Sequence, residues 1–113
     1  MQNAQVMPFQ KTDAYTVAKL LAVQVHRAKI RDTELRDQAT RAAKSAFLQL
    51  AEGLPNDSIP MRRKYFVCAR NSACEVAAAI DLAIDLEVVD PDLGIEAIRT
   101  AARLRALLVG LLR

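Results

Sequence analysis

The sequence contains no tryptophan, two tyrosines, three phenylalanines and one histidine. With aromatics at 4%, the apolar 52% of the chain falls to alanine, leucine, valine and isoleucine. These side chains suit close helix packing, whereas a β-sandwich would need more aromatic and β-branched content. Three glycines and four prolines in 113 residues are too few for a disordered or loop-dominated chain. Charges interrupt every apolar segment, so no run approaches the roughly 18 residues of a membrane span. The opening residues, MQNAQVMPFQK, lack the charged-then-apolar layout of a secretory signal. The two cysteines, Cys68 and Cys74, fall within one expected helix, about 9 Å apart along its axis at 1.5 Å per residue. That distance excludes a bridge between them, and with the one histidine far away in sequence they make no zinc pattern. The expected setting is reduced and cytoplasmic, with buried thiols.

Catalytic signatures are missing as well. A di-iron bundle needs a Glu-x-x-His pair on each of two helices, but this chain has only His26, with valine three residues before it. There is no Ser, His and acid arrangement, no glycine-rich phosphate loop and no GK[ST] motif. The expectation is a non-enzymatic protein without cofactor or metal.

What is present is helical periodicity. A first helix, about residues 12–30, is capped by Thr12 or Asp13 and places Ala14, Ala18, Leu21, Val25 and Ala28 on one stripe. Gaps of 4, 3, 4 and 3 are the core-facing pattern of a bundle helix. A second, about 33–53, is capped by Asp32 or Thr33, has Leu35, Ala39, Ala42, Ala46 and Leu50 inward, and stops at Gly53. The turn LPNDSI leads to a third, about 58–87, carrying Phe66, Ala69, Ala73, Val76, Ile80 and Ala83. Asp90 and Pro91 open a fourth, about 91–112, with Ala97, Ala101, Leu104, Leu108 and Leu111. Four such helices joined by short connections lie antiparallel to their sequence neighbours, so the expected fold is a single all-α domain, an up-down-up-down four-helix bundle spanning residues 1–113. Apolar residues beyond the stripes, such as Leu20, Leu48, Val67 and Val109, exceed what one small bundle can bury and point to self-association.

Polar residues interrupt the two central helices. Arg41, Ser45 and Glu52 on the second, and Arg70, Ser72 and Glu75 on the third, come close if the helices are antiparallel. Arg41 is expected to reach Glu75, and Glu52 to reach Arg70 or Lys64, because charges inside a bundle are costly unless paired.

These residues carry a resemblance. The order of Phe9 and Tyr15, the string R-A-A-x-S-x-x-x-x-x-A-E-G from Arg41 to Gly53, and Y-F-x-x-A-R-x-S-x-x-E from Tyr65 to Glu75 resemble a bacterial four-helix-bundle family. That family is named for members encoded in intervening sequences of 23S ribosomal RNA genes, and it includes the accessory variability proteins of diversity-generating retroelements. The likeness runs over about residues 9–112 and carries over to Arg41, Ser45, Ala51, Glu52, Gly53, Phe66, Ala69, Arg70, Ser72 and Glu75. The chain departs from the family pattern at Gln49-Leu50, where Asn-Ile is usual, and at Asn71, where glycine is usual. The resemblance implies a homopentameric ring and no catalysis. For the retroelement branch it also implies binding of a reverse transcriptase and of nucleic acid.

Charge gives a separate indication. The net charge of +3 and pI of about 9.1 permit an acidic partner without demanding one. Arg62, Arg63 and Lys64 open the third helix, where the macrodipole favours acids by about 0.3–1 kcal/mol per charge. They are expected to share one end of the bundle with Arg113, and a ring would repeat that basic end around its axis. Arg99 and Arg103 on the fourth helix form a second basic candidate. With no aromatic interleaved, binding of RNA or DNA there would follow the phosphate backbone. The alternative reading is a structural or protein-interaction oligomer without nucleic acid. At the other end, Arg27, Lys29 and Arg31 are expected beside the acids from Asp81 to Glu96.

Overall fold

The computed structural model describes residues 7–113, and the first residues of the MQNAQVMPFQK segment lie outside that range. A 3-10 turn, Pro8–Lys11, precedes four helices: α1 Asp13–Ala28, α2 Thr33–Gly53, α3 Ile59–Asp85 and α4 Pro91–Leu111. Each packs beside its sequence neighbour, and α1 packs beside α4 to close the four-helix bundle, with the α2–α3 seam the most extensive.

The capping side chains settle where each helix begins. Thr12, Asp32 and Ser58 accept from the backbone N–H three residues on, and Asp90 accepts from both Asp92 and Leu93. Each bond satisfies a backbone donor with no partner inside its helix.

The ends are less regular than the periodicity predicts. α1 stops at Ala28 and α3 at Asp85, two residues short of expectation in each case, because Lys29 and Glu87 adopt left-handed backbone with φ of 51° and 59°. At the α3 end the Glu87 N–H reaches the Ile84 carbonyl and the Val88 N–H the Ala83 carbonyl. This is the Schellman closure, with glutamate in the position that glycine usually takes. Gly53, the expected glycine stop, has no positive φ. It stays helical and buried, and a Cβ there would lie 2.8 Å from Phe66 Cε1 and 3.0 Å from Tyr65 Cβ. The glycine is needed for close approach of α3. Pro55, which has no N–H to continue the ladder, follows two residues on, after the cap residue Leu54.

The expected stripes form the core. Leu21, Leu50, Phe66, Val76, Ile80, Leu104 and Leu108 are buried almost completely, with Ile30 from the α1–α2 connection and Val89 from the α3–α4 connection closing one end. Leu111 departs from its stripe and is 39% exposed, because the bundle ends before it. The cysteines also differ from expectation. Cys68 is half-buried and Cys74 exposed, since residues six apart on a helix point about 120° away from each other in azimuth.

Candidate functional site

The α2–α3 seam gathers most of the polar residues that stand out in the sequence. Ser45 Oγ of α2 and Ser72 Oγ of α3 lie 3.0 Å apart in a half-buried hydrogen bond. Two turns toward the start of α2, Gln38 sits between the two groups expected to pair. Its amide donates to a Glu75 carboxylate oxygen at 2.7 Å, and its Oε1 accepts from Arg41 at 3.2 Å. The Arg41–Glu75 tie is therefore relayed through an amide that sequence reasoning passed over, since a glutamine on a solvated face carries no distinguishing pattern. Glu52 is exposed near the end of α2, while Arg70 is half-buried on α3. With Gly53 admitting Phe66, these contacts set the axial alignment of the two most extensively packed helices. They place no nucleophile beside a base.

The basic end forms where α3 begins and α4 finishes. Arg62, Arg63 and Arg113 line a depression of about 430 Å³ together with Asn56, Asp57, Ile59, Phe66 and Leu111. The structure brings these cations together but also employs two of them. The Arg62 guanidinium lies over the Phe66 ring at 5.4 Å, and Arg63 donates to the Leu112 carbonyl at 2.5 Å. The α3 start thus carries cations against its own dipole partly because the negative end of α4 lies alongside. Part of the reason is internal to the bundle. Lys64 and Arg113 are exposed. Arg103 and Arg99 are exposed on α4, about 12 and 18 Å back from its C-terminus at 1.5 Å per residue, and so belong to the flank of the bundle.

A second basic surface was not singled out in the sequence. Along the outer side of α2, Arg36, Arg41 and Lys44 join His26 of α1 around a shallow depression of about 860 Å³ that also takes in Asp37 and Leu48. It continues into a smaller one of about 520 Å³ with Lys29 and Arg31. The i, i+4 register of Arg36, Thr40, Lys44 and Leu48 is legible in the sequence. The joining of His26 and Lys29 depends on how α1 packs.

Opposite in sign is the stretch from the end of α3 into α4. Between Arg70 and Arg99 the chain has seven acidic residues and no basic one, and Asp81, Asp85 and Glu87 are all exposed. Arg31 approaches this region as expected, but through main chain: its N–H donates to the Val88 carbonyl at 2.8 Å and its guanidinium to the Glu87 carbonyl at 2.8 Å. Among the described residues no three metal-ligating side chains converge, and no helix is long and apolar enough to cross a membrane.

Comparison with known proteins follows these features. No curated protein matches the chain in sequence. A crystal structure of a protein with unknown function from the S23 ribosomal protein family, from Bacteroides thetaiotaomicron VPI-5482, superposes with a TM-score of 0.79 over 88% of this chain and 98% of that one, at 14% identity. At that identity the likeness speaks for the fold. The family model for the 23S rRNA-intervening sequence protein matches residues 10–110, a span that includes both polar helix motifs and all four helices but the last residue of α4. The chain belongs to the 23S rRNA-intervening sequence protein family.

Proposed function

We propose that this protein is a non-enzymatic, self-associating adaptor, a ring of bundles whose basic end holds nucleic acid or a nucleoprotein such as a reverse transcriptase complex. The observation that carries the reading is the convergence of Arg62, Arg63 and Arg113 on one depression, with Lys64 beside it in sequence and exposed. Guanidinium groups suit phosphate through planar, paired donors. In a closed ring of five, the stoichiometry that the family resemblance implies, this modest cluster would recur around one rim. Phe66, the aromatic side chain that lines the depression, is buried beneath Arg62, so binding is to the backbone and steeply salt-dependent.

The employment of Arg62 and Arg63 within the bundle favours a second reading, a protein-interaction oligomer in which the end cluster is structural. Fluorescence anisotropy with labelled RNA and duplex DNA, at about 50 and 200 mM salt, separates the two. The first reading expects binding that weakens at least tenfold over that range and is lost in the variant Lys64→Glu/Arg113→Glu, which leaves the Phe66 and Leu112 contacts intact. Binding unchanged in that variant places nucleic acid elsewhere, and no binding at low salt supports the second reading.

A further inference from the structure

Two exposed faces of this chain are complementary in charge, and each has an apolar centre. On the outer side of α2, Leu48 is 59% exposed amid Arg36, Arg41 and Lys44, with His26 at the margin. On the outer side of α3, Leu82 and Leu86 are 50% and 53% exposed, flanked by Asp81 and Asp85, which are exposed too. Leucines left in water amid charged rims have the composition of a protein interface, whose core is depleted of charge and whose rim is polar. A surface made for a phosphate backbone needs no leucine at its middle. The aromatic ring that lines the α2 depression is the single imidazole of His26 at its margin, so successive single-stranded bases find no continuous stacking platform there.

We infer that the basic α2 face of one copy docks on the acidic α3 face of the next, with Leu48 set against Leu82 and Leu86, Lys44 one turn away facing Asp81 and Asp85, and Arg36 extending the basic side of the contact. The inference rests on the self-association proposed above and names the surfaces that make it. α2 and α3 occupy neighbouring corners of the bundle, so each copy presents two different patches, and repeated in one sense from copy to copy the contact is heterologous, head to tail. Such contacts generate a ring when the rotation closes. Exposed charges alone are screened beyond about 8 Å at physiological salt, so the apolar centres hold the contact while the charges fix its polarity. A copy cannot dock basic face to basic face; a two-fold dimer that sets each basic face on the partner's acidic one satisfies the same pairing, and the assembled mass distinguishes it from a ring. The same pairing would leave the Arg62, Arg63 and Arg113 end free to face a partner.

The test is a charge exchange on the full chain, read by light scattering after size exclusion at tens of micromolar. Wild type is expected to assemble. Arg36→Glu/Lys44→Glu and Asp81→Lys/Asp85→Lys are each expected to weaken association at least tenfold. A mixture of the two variants is expected to reassociate, because the altered faces complement one another, and so is a single chain carrying all four changes. Circular dichroism confirms folding, and the mixture stands in if the fourfold variant does not fold. Assembly retained in either face variant, or a mixture that stays dissociated, overturns the inference while leaving self-association standing. A monomeric wild type overturns both. Loss of RNA binding in Arg36→Glu/Lys44→Glu without change of mass also overturns it, and makes the α2 face a nucleic-acid surface.

Discussion

The two ends of the bundle solve the same problem differently. Where α2 turns into α3, a glycine is present but no left-handed backbone is used: Gly53 remains helical and lets the Phe66 ring and the Tyr65 Cβ come within about 3 Å of where its own Cβ would be. Where α1 turns into α2 and α3 into α4, left-handed residues are used but no glycine is present, and Lys29 and Glu87 take that conformation instead. The second end compensates with hydrogen bonds, since Arg31 joins the two connections through Glu87 and Val88 carbonyls. Buried Ile30 and Val89 lie beneath it. Glycine is thus absent where backbone freedom would have been useful and present where space was needed. A glycine's position in sequence does not reveal which of the two it supplies.

This comparison can be broken at three points. Phe66→Ala removes the ring that Gly53 admits and that Arg62 covers, leaving a cavity at the basic end. It should lower unfolding free energy by about 3–5 kcal/mol, measured by urea titration. A loss below about 1 kcal/mol would mean that this end is not tightly packed. Gly53→Ala adds only a methyl group, but the nearest atoms are a buried ring and a Cβ on the facing helix, neither of which can move freely. A cost of about 1–3 kcal/mol is expected. If the protein were instead stabilised, as helix propensity alone would favour, the close approach would be wrong. At the opposite end, Glu87→Gly should stabilise the fold by up to about 1 kcal/mol, by removing the strain of a Cβ in left-handed backbone. A rise in Tm with the hydrogen bonds of the α3–α4 connection preserved is the expected result. A fall would show that the glutamate side chain itself contributes at that site.

The seam between these ends shows how far local pattern reaches. The serines of the two motifs do meet across α2 and α3, which antiparallel pairing and the short connection already imply. The carboxylate and guanidinium do not pair directly; Gln38 mediates, and only the relative rotation of the helices reveals it. Likewise, the clustering of Arg62, Arg63 and Lys64 is visible along the chain, but not all of their separate uses are. Stacking of Arg62 on Phe66 follows the ordinary i, i+4 spacing, whereas the bond from Arg63 to the Leu112 carbonyl requires a helix end 49 residues away.

What the sequence determined by itself is the number, type and order of the elements, nearly all of the inward stripes and the starting caps to within a residue, because these depend on periodicity and on contacts within about four residues. Its polar motifs also sufficed to suggest the family. Tertiary structure decided where α1 and α3 stop, why Gly53 is glycine, which cations are committed to the bundle and which remain on its surface. It also decided that the α2 and α3 faces carry opposite charge around exposed leucines. Each of these depends on how one helix is rotated against another, and that rotation is set by the packing of all four together.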